Sequence, residues 1–169
     1  MCRVRVKALV AVVLGLALAG GFVPAAQAES VHRRDAVGDA PAVIDIRAAD
    51  YTHSERRVRV VARIPDLGDR GEAALSISRF TIFEAGYVVT IKKRAGTPAR
   101  VRLMFFDHFG LEPRECSAVA GRWGTDRIRL SVARSCLDGH ARNRIFVQFG
   151  ILRGGEFDRA PAVRRLERG

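Results

Sequence analysis

Lysine is nearly missing from this chain. It stands at Lys7, Lys92 and Lys93 only, so almost all the positive charge of the 169 residues is arginine. Aromatics make up 7% of the residues and tryptophan occurs once, at Trp123. That is too little aromatic surface to interleave with the arginines as single-strand nucleic-acid readers do, so no nucleic-acid partner is expected. After Val23 no apolar run is long enough to span a bilayer. No long amphipathic helix and no internal repeat stand out. There is no G-x-G-x-x-G and no P-loop, which leaves nucleotide chemistry without a signature. There is no G-x-S-x-G, and Asp107-His108 has no serine partner that the sequence identifies. His32, His53, His108 and His140 form no close-spaced metal pair. They read as ordinary surface histidines, with His53 and His108 in loops. The chain is therefore expected to be non-enzymatic. The rival readings are a hydrolase with a loop-built site, or a structural or inhibitory protein without a small ligand.

What is present begins with a leader. Arg3, Arg5 and Lys7 precede an apolar run, Ala8 to Val23, that only glycine interrupts. Pro24 ends that run and Ala26-Gln27-Ala28 is an A-x-A cleavage site. These are the parts of a secretory signal peptide, placed at residues 1–28, with the mature chain starting at Glu29. The expected product is secreted and extracellular, with no transmembrane segment after cleavage. Cys2 leaves with the leader, so Cys116 and Cys136 remain as an even pair in an oxidising compartment. The remainder is one domain by length. It divides into an irregular segment at 29–42, a β-sandwich at 43–152 and a basic C-terminal tail at 153–169. The formal net charge of the whole chain is +11, and it stays strongly positive without the leader. An arginine-rich, alanine- and glycine-rich composition can follow from genome composition alone, or the charge can favour an anionic partner.

Period-two alternation predicts the strands. The runs are Ala42–Ala48, Arg56–Ile64, Ala74–Phe83, Gly86–Arg94, Ala99–Phe106, Asp126–Arg134 and Arg144–Ile151. With the arm before Trp123 this makes about eight, joined by loops such as 107–113. The expected fold is all-β, an antiparallel sandwich or jelly roll with one disulfide. Cys116 and Cys136 flank a hairpin turned at Gly124-Thr125-Asp126 and placed at the centre of the sandwich. Antiparallel arms bring such ends together; two buried free thiols are the alternative, which export disfavours. A bridge closing a loop of that size stabilises by roughly 3 kcal/mol in the chain-entropy model.

Two stretches carry a resemblance. One is Asp35-Ala36-Val37-Gly38-Asp39 followed by Asp45-Ile46; the other is Cys116, Trp123 and Val132-Ala133-Arg134-Ser135-Cys136-Leu137. Together they resemble a group of small secreted actinobacterial β-sandwich proteins. The aspartate opening is also loosely similar to sandwich domains of the DOMON and carbohydrate-binding-module type. The resemblance implies a sandwich and secretion and assigns no activity. The haem ligands of some DOMON domains have no match in this sequence.

Three constellations could carry function. Asp35, Asp39 and Asp45 lie on a glycine-containing loop, and Asp158 could join them if the tail returns to the N-terminal strand. Several carboxylates on flexible backbone suit Ca²⁺; the competing reading is turn chemistry at Asp-Gly steps. Arg57, Arg59, Arg100, Arg102, Arg127 and Arg129 fall on the polar phase of their strands. If those strands share a sheet, their guanidiniums make one anion-binding face for an envelope polyanion or polysaccharide. The competing reading is a solvated outer face. Trp123 is either a sugar-stacking platform or packing beside the disulfide.

Overall fold

The computed structural model describes residues 28–79, 84–138 and 143–169. The predicted leader up to residue 27, His140 and the end of the predicted strand at 80–83 lie outside the described residues. Among the described residues no helix is long and apolar enough to cross a membrane.

Alternation does build the fold, as two antiparallel sheets packed face to face. The strands are β1 (Glu29–Arg34), β2 (Ala48–His53), β3 (Arg57–Arg63), β4 (Gly71–Arg79), β5 (Gly86–Lys93) and β6 (Arg100–Asp107). They continue with β7 (Gly110–Arg114), β8 (Val119–Trp123), β9 (Arg127–Ala133), β10 (Arg144–Arg153), β11 (Glu156–Arg159) and β12 (Val163–Glu167). The first sheet runs β1-β2-β3-β9-β8. The second runs β11-β10-β4-β5-β6-β7, with β12 also pairing β10. Val58, Val60 and Ala62 of β3 and Ile128, Leu130 and Val132 of β9 point inward, all fully buried or nearly so. They meet Leu75 and Ile77 of β4, Val89 and Ile91 of β5 and Phe149 of β10 in one core. Most of these are β-branched or aromatic, which suits a half-buried pleated surface.

Among the described residues twelve strands replace the expected eight or so, and the differences have physical causes. The segment 29–42 is not irregular throughout, because β1 pairs with β2 along its whole length. Its inward residues are only half-buried, so its alternation is weak. The predicted strand 42–48 is instead a turn: Pro41 O accepts from Ile44 N (2.8 Å) and Asp45 N (3.0 Å). Ile44 and Ile46 are buried there without a ladder. The predicted loop 107–113 contains a hairpin, turned by Asp107, whose Oδ1 accepts from Phe109 N (2.8 Å) and Gly110 N (3.2 Å). The strand it opens, β7, is exposed at every residue and so carries no alternation signal. The stretch 153–169 is no tail. Gly154 and Gly155, at φ +62° and +92°, turn the chain back into β11, a backbone that glycine adopts without Cβ strain. Ala160, Val163 and Leu166 then enter the core.

The disulfide Cys116–Cys136 is formed, with the two Cα atoms 6.0 Å apart. It closes the β8–β9 hairpin as expected, but β8 is an edge strand, so the hairpin sits at the rim of the first sheet and not at its centre.

Candidate functional site

The outer face of the first sheet is built by register. Arg59 on β3 faces Thr52 on one side and Ser131 on the other. One row along, Val61 faces Arg129, and Arg129 faces Arg122 of β8. The next row pairs Arg63 with Arg127. Side chains two residues apart share a face, so Arg57, Arg59, Arg63, Arg122, Arg127 and Arg129 project from one surface. Arg34 joins them from β1, opposite Ala48. Acidic residues are few here. Asp50 is taken by His32 at 2.7 Å, and Asp126 is bound by Arg127 Nε at 2.8 Å. Arg57 donates to Ala118 O (3.1 Å) and Ser131 Oγ (3.2 Å). Among the described residues Arg59, Arg63, Arg122 and Arg129 have no carboxylate within ion-pair distance.

A shallow depression of about 450 Å³ lies between these guanidiniums, lined by Thr52, Ser54, Arg57, Arg59, Gly121, Arg122, Arg129 and Ser131. Arg122 and Arg129 also border a second depression of about 610 Å³, which reaches Lys93, Thr125 and Arg127 at the sheet edge, with Asp69 and Asp126 also in its lining. The two make a basic track across β3, β9 and β8. Forked donors with hydroxyls between them match phosphate or carboxylate oxygens.

Not all of the six arginines singled out from the sequence share this face. Arg57, Arg59, Arg127 and Arg129 do. Arg100 and Arg102 lie on the outer face of the second sheet, beside Glu72, Thr90, Lys92 and Arg94. The single face is thus corrected to two, because β6 belongs to the other sheet. On that second face Glu72 holds Lys92 at 3.0 Å, so its positive charge is partly offset. Arg122 was missed by the sequence reading. Tracing the hairpin outward from Gly124 would have found it, since it falls opposite Arg129.

Trp123 packs against the core and its Nε1 donates to Gly68 O at 2.8 Å. Its far ring edge is the nearest contact of a Cβ built on Gly71, at 3.0 Å. The indole is therefore wedged between β8 and the 67–71 turn, with one edge at the second depression.

Three of the four aspartates converge, and Asp35 lies outside the cluster. One carboxylate oxygen from each of Asp39, Asp45 and Asp158 lies within 4.8 Å of the others. Asp158 arrives on β11, which the hairpin at Gly154-Gly155 folds back beside the 38–46 loop. Its Oδ2 accepts from Ile46 N at 2.7 Å. Asp35 is electrostatically part of the group: burial, and then the charges of Asp158, Asp39 and Asp45, push its pKa up to about 6. Burial, and then Asp39 and Asp45, raise Asp158 as well.

His53 departs from expectation. It lies in β2 and its ring is wholly buried, not in a surface loop. Its Nδ1 is 3.4 Å from Leu166 O.

Compared with protein-family models, curated proteins and solved structures, the chain finds no match.

Proposed function

We propose that this chain is an exported, non-enzymatic binding module that holds an anionic polymer of the cell envelope on the outer face of its first sheet. The observation that carries the reading is the cluster of Arg59, Arg122 and Arg129, unpaired among the described residues, around a depression of about 450 Å³. Exposed arginines normally sit beside carboxylates, which lower the local potential. Here several arginines share one face with Asp50 as their one acidic neighbour inside the strands. Such a field attracts polyanions over about a Debye length, roughly 8 Å at physiological ionic strength. The leader-like N-terminus and the disulfide support an extracellular setting. There the abundant polyanions are phosphate- and carboxylate-bearing polymers.

The test compares two variants of equal charge. One carries Arg59→Gln, Arg122→Gln and Arg129→Gln; the other carries Arg94→Gln, Arg100→Gln and Arg102→Gln on the opposite face. Binding is measured to polyphosphate and to polygalacturonate, with neutral dextran as control. Each lost guanidinium contact is worth about 1 kcal/mol, so the first variant should bind roughly a hundredfold more weakly. The second should stay near wild type. Equal losses in both variants would mean that net charge alone drives retention, and the site would be withdrawn.

A further inference from the structure

Asp45 is 2% exposed and Asp158 is 6% exposed, so two of the three clustered carboxylates lie inside the protein. Buried carboxylates are stable only when something positive or hydrogen-bonding answers each oxygen. Asp158 is answered: Oδ2 takes Ile46 N and Oδ1 takes Arg159 N at 2.6 Å. Asp45 is half answered. Its Oδ2 takes Gly38 N at 2.9 Å and Arg47 at 3.2 Å, while its Oδ1 is buried with no hydrogen-bond partner. That bare oxygen leaves Asp45 with an unused ligand atom inside the protein. Asp35 Oδ2, close by, is also buried and bare. Among the described residues Arg47 is the one guanidinium in an ion pair with any of the four carboxylates, and it reaches Asp45 alone.

We propose that Asp39, Asp45 and Asp158 form a Ca²⁺ site, with Asp35 beside it, that fastens the 35–46 loop to the β10–β11 hairpin. Two ligands of one Ca²⁺ lie at most about 5 Å apart, because each Ca–O distance is about 2.4 Å. The three oxygens satisfy that limit at 4.8 Å. The donors are all oxygen, with no histidine or cysteine among them, which selects a hard cation over zinc or copper. Mg²⁺ usually keeps several waters and takes one or two carboxylates, whereas Ca²⁺ accepts several from irregular backbone. The 35–46 loop is such backbone, with Gly38 at φ +81°. The site joins elements far apart in the sequence. The loop enters the first sheet at β2, and β11 borders the second. A cation there ties the two sheets together along the edge where both carry short strands. It is a different surface from the arginine face and stands or falls separately.

The full chain is purified through chelator and dialysed, then melted with CaCl₂ and, separately, with MgCl₂. Extracellular Ca²⁺ modules bind at about 10⁻⁴–10⁻³ M. At about 5 mM Ca²⁺ the melting temperature should rise by about 3–10 °C, and titration calorimetry should give one site. Asp39→Asn is exposed and should fold normally, yet lose at least about tenfold in Ca²⁺ affinity. Asp45→Asn removes the buried charge and should melt higher than wild type in chelator while losing the Ca²⁺ response. A wild-type melt that ignores Ca²⁺ would overturn the proposal. So would an equal rise with Mg²⁺ that Asp39→Asn retains, because that is charge screening without a site.

Discussion

The ring of His53 is closed in between β2 and β12, with Nε2 bare and Nδ1 against Leu166 O. Burial, and then the nearby charges of Arg134 and Arg168, hold its pKa below the usual 6.5. In the unfolded chain the ring takes a proton at about 6.5. The unfolded state therefore binds more protons below that pH, and stability present above it is lost as pH falls toward the folded value. Asp35 acts in the opposite sense: its folded pKa of about 6 lies above 3.8, so its contribution is present in acid and is lost as pH rises through 6. Comparing His53→Phe with wild type cancels that common background. Between pH 7 and pH 5 the wild-type melting temperature should fall more steeply than that of the variant; parallel curves would show that the ring stays neutral in both states. Sequence could not place this residue, because Ala48–His53 mixes polar and apolar positions and its partner Leu166 is 113 residues away. Asp158 was legible for a different reason. A carboxylate has few uses, and the conditional that the chain returns to its N-terminal segment proved to hold.

At the scale of elements, strong alternation was readable where the buried face is apolar and the wet face polar. β3 and β9 show it in full, and both were found with their inward residues correct. Edge strands lack that contrast, so β1, β7, β11 and β12 were not. The interior strand β2 buries one face too, but that face is Ala49, Tyr51 and His53, and it was not found. Which sheet a strand joins is set by long-range pairing, which no local pattern carries, and this is why Arg100 and Arg102 were wrongly grouped with Arg57 and Arg59. The β8–β9 hairpin was legible through its cysteines. β8 has a ladder partner on one side only and otherwise packs onto β5 and β6. The bridge at its base is then its main restraint against fraying. Replacing both cysteines, Cys116→Ala with Cys136→Ala, should cost about 2–5 kcal/mol in urea unfolding. Because β8 carries Arg122, the same variant should bind polyphosphate more weakly even where it is still folded. Unchanged stability would mean that β8 holds its place by packing alone.

At the scale of the whole molecule, β12 and the residues after it link the two sheets. β12 lies along β10, with Leu166 opposite Ile145 and Val163 opposite Val147. It reaches the first sheet too: Glu167 N donates to the Glu29 carboxylate, and Gly169 N donates to His53 O at 3.2 Å. A composition-based reading of 153–169 sees arginines and calls the stretch solvated. The exposed pair Arg164-Arg165 lies between two side chains that finish the core, Val163 at 2% exposure and Leu166 at 0%. Burying a Val or Leu side chain is worth about 1.5–3 kcal/mol, so removing both gives up about 3–6 kcal/mol. A domain of this kind has only about 5–15 kcal/mol in total. Deleting residues 161–169 should therefore leave the chain unfolded or barely folded, read as loss of the cooperative urea transition by circular dichroism. Arg164→Gln with Arg165→Gln removes charge from the same strand without touching the core, and should move stability by no more than about 0.5 kcal/mol. A truncated chain that unfolds at the wild-type midpoint would return this segment to the status of a tail. The deletion also frees the Arg144–Val147 part of β10's outer edge, while β11 still covers Gly150–Arg153. An unpaired strand edge is of the kind that templates aggregation, so the truncated protein's solubility reports on the same question from the other side.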